Sequence, residues 1–461
     1  MVKRSGSLKR IAALACACAL VVSQAWAQRA IPSAPEIRTK VDEYLNAAAA
    51  VNGFSGSVLV AQNGQPVVSK GFGMANIELA VPNTPQTVFR LGSVTKQFTA
   101  TAVMILQERG KLRVGDPACQ YLAECPASWK PLTIRHLLTH TSGIPNYTNF
   151  PDFGKTAVLP ATATEMVGKL TGKPLEFAPG EKFAYSNSGY YLLGLIVERA
   201  SGKRYADFLQ EVIFAPLGMS HTGYDDPARL IPNRAAGYAR QAGVTVNAAY
   251  MDMTLPFAAG ALYSTTEDLL RWDQALYTDK LVSQTSLDEM FTPEKGGYGY
   301  GWSIGQRFGR RAIGHGGGIY GFATHIDRFP ADRVTVIVLS NFEGASASRM
   351  ANDLAAIVFG APYEIPRERK TITVEPKALE PYVGQYRIAS PPIDVAVSLE
   401  DGKLIALLAG RLKLALLAES VATFFSRDVS AQITFVKDAA GQVTGLTLRM
   451  DGSELSAQRV K

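Results

Sequence analysis

The sequence has no long run of basic residues and no stretch in which basic and aromatic residues interleave, so nucleic acid is excluded as a partner. It has no internal repeat and no low-complexity tract, and its composition, 47% hydrophobic and 19% charged, is that of a globular enzyme. It also lacks a membrane span, because the apolar run from Ile11 to Val22 is too short and too early. Lys3, Arg4, Lys9 and Arg10 precede that run and Ala25-Trp26-Ala27 follows it, which reads as a secretory signal cleaved after Ala27. The residues before Cys16 and Cys18 fit a lipoprotein anchor poorly. A periplasmic or secreted protein with no stable membrane anchor is expected.

Loss of the leader removes four basic residues and no acidic one, taking the formal charge from +7 to +3. Of the four cysteines, only Cys119 and Cys125 lie beyond the leader. In an oxidising compartment they either close a small loop or stay as free thiols. His136 and His140 stand one helical turn apart, but the glutamate of a zinc-protease His-Glu-x-x-His is missing and no carboxylate-histidine cluster follows. Structural histidines, no metal and no cofactor are therefore expected.

At 461 residues the chain exceeds one small core, and two domains are expected. Pro35 to Ala50 carries apolar residues at Ile37, Val41 and Leu45, a helical spacing. Ser57–Ala61, Asn63-Gly64 and Pro66–Ser69 predict a β-hairpin. Ser264-Thr265-Thr266-Glu267 predicts a capping box opening a helix through Leu276. Tyr298–Ile304, Arg311–Gly318, Phe322–Phe329 and Val334–Leu339 predict strands that complete the hairpin's sheet. Beyond a Pro- and charge-rich linker at 361–380, seven short strands between Gly384 and Met450, with turns at Asp401-Gly402 and Asp451-Gly452, predict a small antiparallel barrel. The expected class is α+β: an antiparallel sheet flanked by helices plus a helical subdomain (28–360), then an all-β barrel-like domain (381–461).

Three stretches carry candidate chemistry. Ser93 and Lys96 lie three apart at the start of an apolar-striped helix, so their side chains share a face. A serine hydroxyl is a poor nucleophile until a base takes its proton, and a buried lysine can serve once neutral. In the loop Pro179–Gly189, Tyr185 and Asn187 point into one cleft if the backbone is extended. His315-Gly316-Gly317-Gly318 offers one ring and bare backbone N–H groups against which a substrate can lie. A competing signal, Gly301-Trp302-Ser303-Ile304-Gly305, has the Gly-x-Ser-x-Gly form of α/β-hydrolases, but no convincing helix follows Ser303 and the glycine loop comes after it rather than before.

Ser93-x-x-Lys96, Tyr185-x-Asn187 and His315-Gly316-Gly317, in that order, resemble the serine β-lactamase and penicillin-binding superfamily, in the branch of class C β-lactamases, DD-peptidases, D-aminopeptidases and esterases. The likeness spans residues 35 to 358 and includes Arg135–Gly143 and Ala259–Ser264. It implies that Ser93 forms an acyl-enzyme and that Lys96 and Tyr185 share proton transfer, with either as base. It also implies that Asn187 holds the substrate amide, that His315, Gly316 and Gly317 line the substrate, and that the N–H groups of Ser93 and Gly318 form an oxyanion hole. The β-lactamases of this branch usually carry Lys-Thr-Gly third, and a neutral histidine anchors a substrate carboxylate more weakly than lysine. The departure resembles the peptidase, D-aminopeptidase and esterase members. It implies an exported hydrolase of amide or ester bonds acting on small molecules or peptides, such as peptidoglycan stem peptides. The alternatives are a class C-like β-lactamase and a catalytically idle binder of peptidoglycan or an acyl ligand. The C-terminal segment resembles the lipocalin-like domain of exported relatives, with a structural or gating role.

Overall fold

The computed structural model describes residues 31–460 except 242, 390, 391, 411, 427–430, 451 and 452; the leader expected at 1–27 lies outside the described residues. Helix α1 (Ala34–Asn52) starts with proline in its first turn and buries Ile37, Val41, Tyr44, Leu45 and Ala48 along one face. Strands β1 (Gly56–Gln62) and β2 (Gln65–Phe72) form the expected hairpin. Its turn residues Asn63 and Gly64 sit at φ 51° and 74°, as a two-residue hairpin turn requires. The chain then leaves the sheet through α2 (Thr95–Glu108), α3 (Asn187–Ser201) and α4 (Thr266–Ala275). It returns through β3 (Ser303–Arg307), β4 (Arg310–Ile319), β5 (Phe322–Phe329) and β6 (Val334–Ser340), then ends this unit with α5 (Ala347–Val358).

These strands make one sheet in the order β3-β4-β5-β6-β1-β2, with every neighbour antiparallel. Side-chain alternation divides it into two faces. Val58, Val60, Val336 and Val338 pack with α1 and α5, while Leu59, Ile326, Ile337 and Leu339 pack with α2 and the helical region. Both faces of β6 are covered, which is why its sequence reads as a nearly unbroken apolar run.

Three expectations need correction. The strand expected from Tyr298 begins only at Ser303, because Gly299 N–H bonds Trp302 O at 2.8 Å and Gly301 sits at φ 80°, turning the preceding segment out of the ladder. The cap of α4 is Thr265, which accepts from Asp268 N–H at 3.2 Å, whereas Ser264 ends a short strand and bonds Thr222. The helix carrying His136 spans Ile134–Leu138 and stops short of His140, whose φ is 56°. Cys119 and Cys125 are joined in a disulfide.

Among the described residues, the C-terminal sheet has nine antiparallel strands, from Gly384–Ile388 to Ser453–Arg459. Its two edge strands, Leu412–Ala415 and Leu417–Ala418, are adjacent in sequence, so the sheet curls almost to closure. Asp401-Gly402 makes its expected turn, with Glu400 opposite Lys403; the turn at Asp451-Gly452 lies outside the described residues. The final strand has no counterpart among the seven that the sequence predicts. Tyr382, Tyr386, Phe424 and Phe435 fill the interior, with ring centroids 4.4–5.8 Å apart.

Candidate active site

Residues Gly92–Val94 form a single 3₁₀ turn that runs directly into α2, so Ser93 stands one turn ahead of the helix proper. Gly92 takes φ 54°, and a Cβ there would lie 2.9 Å from Gly318 N and 3.0 Å from Gly318 O. Glycine is needed both for the conformation and for the close approach. At Gly317 an added Cβ would fall 2.0 Å from Leu91 O and 2.3 Å from Thr324 Oγ1. Thr324 Oγ1 donates to Leu91 O at 2.7 Å, tying the chain just ahead of Ser93 to β5. Strand β3 covers β4 only from Arg310 to Gly314. The remaining edge, His315 to Ile319, lies against the turn that carries Ser93.

Ser93 Oγ lies 3.0 Å from Lys96 Nζ and accepts from Tyr185 Oη at 2.8 Å. Lys96 Nζ donates to Ala259 O and to Asn187 Oδ1, both at 2.8 Å. Lys96 is fully buried, and burial holds its pKa well below the ordinary lysine value. A neutral amine has two N–H bonds and one lone pair. The two carbonyl oxygens can only accept, so they take both N–H groups and leave the lone pair for the Ser93 hydroxyl. Burial pushes the Tyr185 phenol up, opposed by its bond to Ser93, so Tyr185 keeps its proton. Ser186 is extended (φ −139°, ψ 118°), which sets Tyr185 and Asn187 on one side as the two-residue spacing predicts. Asn187 is further held by its N–H on Asn146 Oδ1 at 3.1 Å.

His315 is buried, with Nδ1 2.6 Å from Gly316 O and Nε2 2.7 Å from Tyr298 Oη. The carbonyl only accepts, so Nδ1 carries the proton and Nε2 accepts from Tyr298. Burial, with the nearby Lys96, lowers the His315 pKa to about 3. His140 is also buried; its Nδ1 accepts from Ser186 N–H at 3.2 Å and its ring centroid lies 4.3 Å from that of Tyr185. Burial, then Lys96 and His315, push its pKa well below the ordinary histidine value. Activity is therefore expected to show no inflection from either ring at about pH 6–7, where an exposed histidine titrates. A kcat/KM profile with such an inflection, abolished in His315→Asn or His140→Asn, would contradict this.

Sequence reading missed Tyr298, the Ala259 carbonyl and the bracket that His140 makes around Tyr185. Gly296-Gly297-Tyr298-Gly299-Tyr300-Gly301 holds too many glycines for a strand interior, and that signal could have flagged Tyr298. His136 belongs to a helix cap instead: its Nδ1 accepts from Thr133 N–H at 3.2 Å. Among the described residues, no group of three or more His, Cys, Asp or Glu could hold a metal ion. Ser303 is exposed in β3 opposite Gly314, not on a strand-to-helix turn, and so has none of the geometry of a nucleophile elbow.

The Beta-lactamase family profile matches residues 41–359. The chain belongs to the beta-lactamase family. This makes it a serine hydrolase of the β-lactamase and penicillin-binding superfamily. A second profile, a domain of unknown function (DUF3471), matches residues 368–459. Among similar proteins of this family, "Penicillin-binding protein 4*" of Bacillus subtilis (strain 168) is 34% identical over 441 residues, covering 88% of this chain and 95% of that one. A "D-aminopeptidase" of Gluconobacter oxydans (strain 621H) is 29% identical, covering 71% of this chain and 62% of its own. The octameric penicillin-binding protein homologue from Pyrococcus abyssi superposes with a TM-score of 0.65 at 27% identity, over 91% of this chain and 99% of that one. Among the described residues, no helix is long and apolar enough to cross a membrane.

Proposed function

We propose that this is an exported hydrolase that cleaves amide or ester bonds through an acyl-enzyme on Ser93, of the D-alanyl-D-alanine carboxypeptidase, D-aminopeptidase or esterase type. The observation that carries the reading is Ser93 Oγ held between Lys96 Nζ at 3.0 Å and Tyr185 Oη at 2.8 Å, with the other two positions on Lys96 Nζ taken by carbonyl oxygens. Ser93 Oγ attacks the substrate carbonyl carbon while its proton passes to the Lys96 lone pair. The backbone N–H groups of Ser93 and Gly318 receive the developing oxyanion, and preorganised donors of this kind supply about 3–4 kcal/mol each. Tyr185 delivers a proton to the departing nitrogen or oxygen, and the Asn187 amide holds the acyl side. His315, Gly316 and Gly317 form the wall along which the substrate lies. Water then attacks the acyl-enzyme by the reverse route.

The relatives named penicillin-binding protein and D-aminopeptidase support this class, and the basic-apolar-small pattern at residues 3–27 supports export. Ring opening of a β-lactam is the second reading of the same site, supported by the same Ser93–Lys96 contact. The aromatic filling of the C-terminal barrel supports a structural or gating role for it.

The test is intact-mass analysis of residues 28–461 after exposure to a fluorescent penicillin and to an activated ester, with peptide mapping. An adduct on the peptide bearing Ser93 is expected. An adduct elsewhere, or no adduct together with no turnover of esters and D-amino-acid amides, would replace this reading with that of an idle binding protein.

A further inference from the structure

Resting on Ser93 as the nucleophile, we infer that the substrate group lying along His315–Gly318 is uncharged, an amide or an ester, and that the site discriminates against a free carboxylate there, which narrows the proposed class to its D-aminopeptidase and esterase types. A carboxylate that leaves water needs a cation or several donors to replace its hydration. This wall offers few. Both ring nitrogens of His315 are spent, Nδ1–H on Gly316 O at 2.6 Å and Nε2 on Tyr298 Oη at 2.7 Å. The three glycines that follow bring no hydroxyl and no charge, and the hydroxyl of Thr324 is already given to Leu91 O.

What lies beside Gly316 is a serine paired with a histidine. A Cβ there would meet Ser348 Oγ at 3.2 Å and His325 Nδ1 at 3.3 Å, so these two groups form the wall next to the bare glycine. Ser348 Oγ and His325 Nδ1 are 2.9 Å apart, and His325 Nε2 lies 3.0 Å from Asp327 Oδ1. Ser348 Oγ and His325 Nδ1 thus spend a hydrogen bond on each other. The pair adds no lysine or arginine to the wall. The arginines on the adjoining elements already face carboxylates: Arg307 faces Asp327, Arg90 lies 2.6 Å from Asp225, and Arg349 lies 3.8 Å from Asp353 and 3.7 Å from Glu364.

The experiment supplies one N-acylated D-alanyl-D-alanine as its free acid and as its C-terminal amide, and follows both halves by mass spectrometry. A kcat/KM at least about tenfold higher for the amide is expected. Equal or faster turnover of the free acid would overturn the inference and leave Ser93 chemistry standing, moving the anchor to backbone N–H groups at the start of α5. Failure of both substrates, with no adduct at Ser93, would overturn the proposed function and this inference with it. A Ser348→Lys variant should shift the ratio several-fold toward the acid; a folded variant with an unchanged ratio would overturn the place given to Ser348.

Discussion

A Lys96→Arg variant is expected to lose turnover by on the order of 10⁴-fold or more, close to the loss from Ser93→Ala, because residues that act as a unit fail together. A guanidinium stays charged and has no lone pair to offer the Ser93 proton. It must also fit where Lys96 is fully buried against Ala259 O and Asn187 Oδ1, so a stability loss of about 1–3 kcal/mol accompanies it. The readouts are ester kcat/KM and the melting temperature, with the Ser93→Ala/Lys96→Arg double variant expected to be no worse than either single one. Retention of about a tenth of the activity would assign the base to Tyr185 instead. The sign of the pH dependence follows from burial. Burial disfavours the charged form of Lys96 in the folded state, so activity that needs the neutral amine and the lysine's contribution to stability are both present at high pH and fall as pH drops through its lowered pKa.

Gly317→Ala should be the most damaging methyl group that can be added to this chain's third motif. The new carbon would stand 2.0 Å from Leu91 O and 2.3 Å from Thr324 Oγ1, distances that only backbone movement can relieve. The turn bearing Ser93 would be pushed off β4. A displacement of about 1 Å costs about 100-fold in rate, and the overpacking costs about 1–3 kcal/mol. Gly318→Ala is the matched control for the fold, since no atom lies within 4 Å of its added carbon. Equal melting temperatures for the two variants would contradict the close approach.

Local signals made much of this legible. The hairpin could be read because Asn63-Gly64 fits a two-residue turn, and β5 and β6 because their apolar patterns end at turn residues. Ser93 could be paired with Lys96, and Tyr185 with Asn187, because short spacings within one helix or one extended loop fix which side chains meet; that the two pairs share one site is implied only by the family resemblance. What escaped depends on distant packing. The Ala259 carbonyl has no side-chain signature, and Tyr298 reaches His315 only because its segment leaves the sheet. His140 kept the spacing of a helical partner to His136, yet the helix ends at Leu138 and the ring turns under Tyr185. The last barrel strand, Ser453–Arg459, hides in a polar sequence whose partners lie elsewhere in the chain.

The pairing of β1 with β6 also bears on when this enzyme becomes active. Ser55 Oγ bonds Asn341 Oδ1 across 286 residues of chain, and Gly56 pairs with Ser340 beside it. Such contacts of high sequence separation close late and slowly. Ser93, the proposed nucleophile, comes from the early side of that closure and its glycine edge from the late side. A chain still emerging from synthesis therefore carries Ser93 without the strand that faces it, and the acyl transfer proposed for Ser93 begins only where folding finishes.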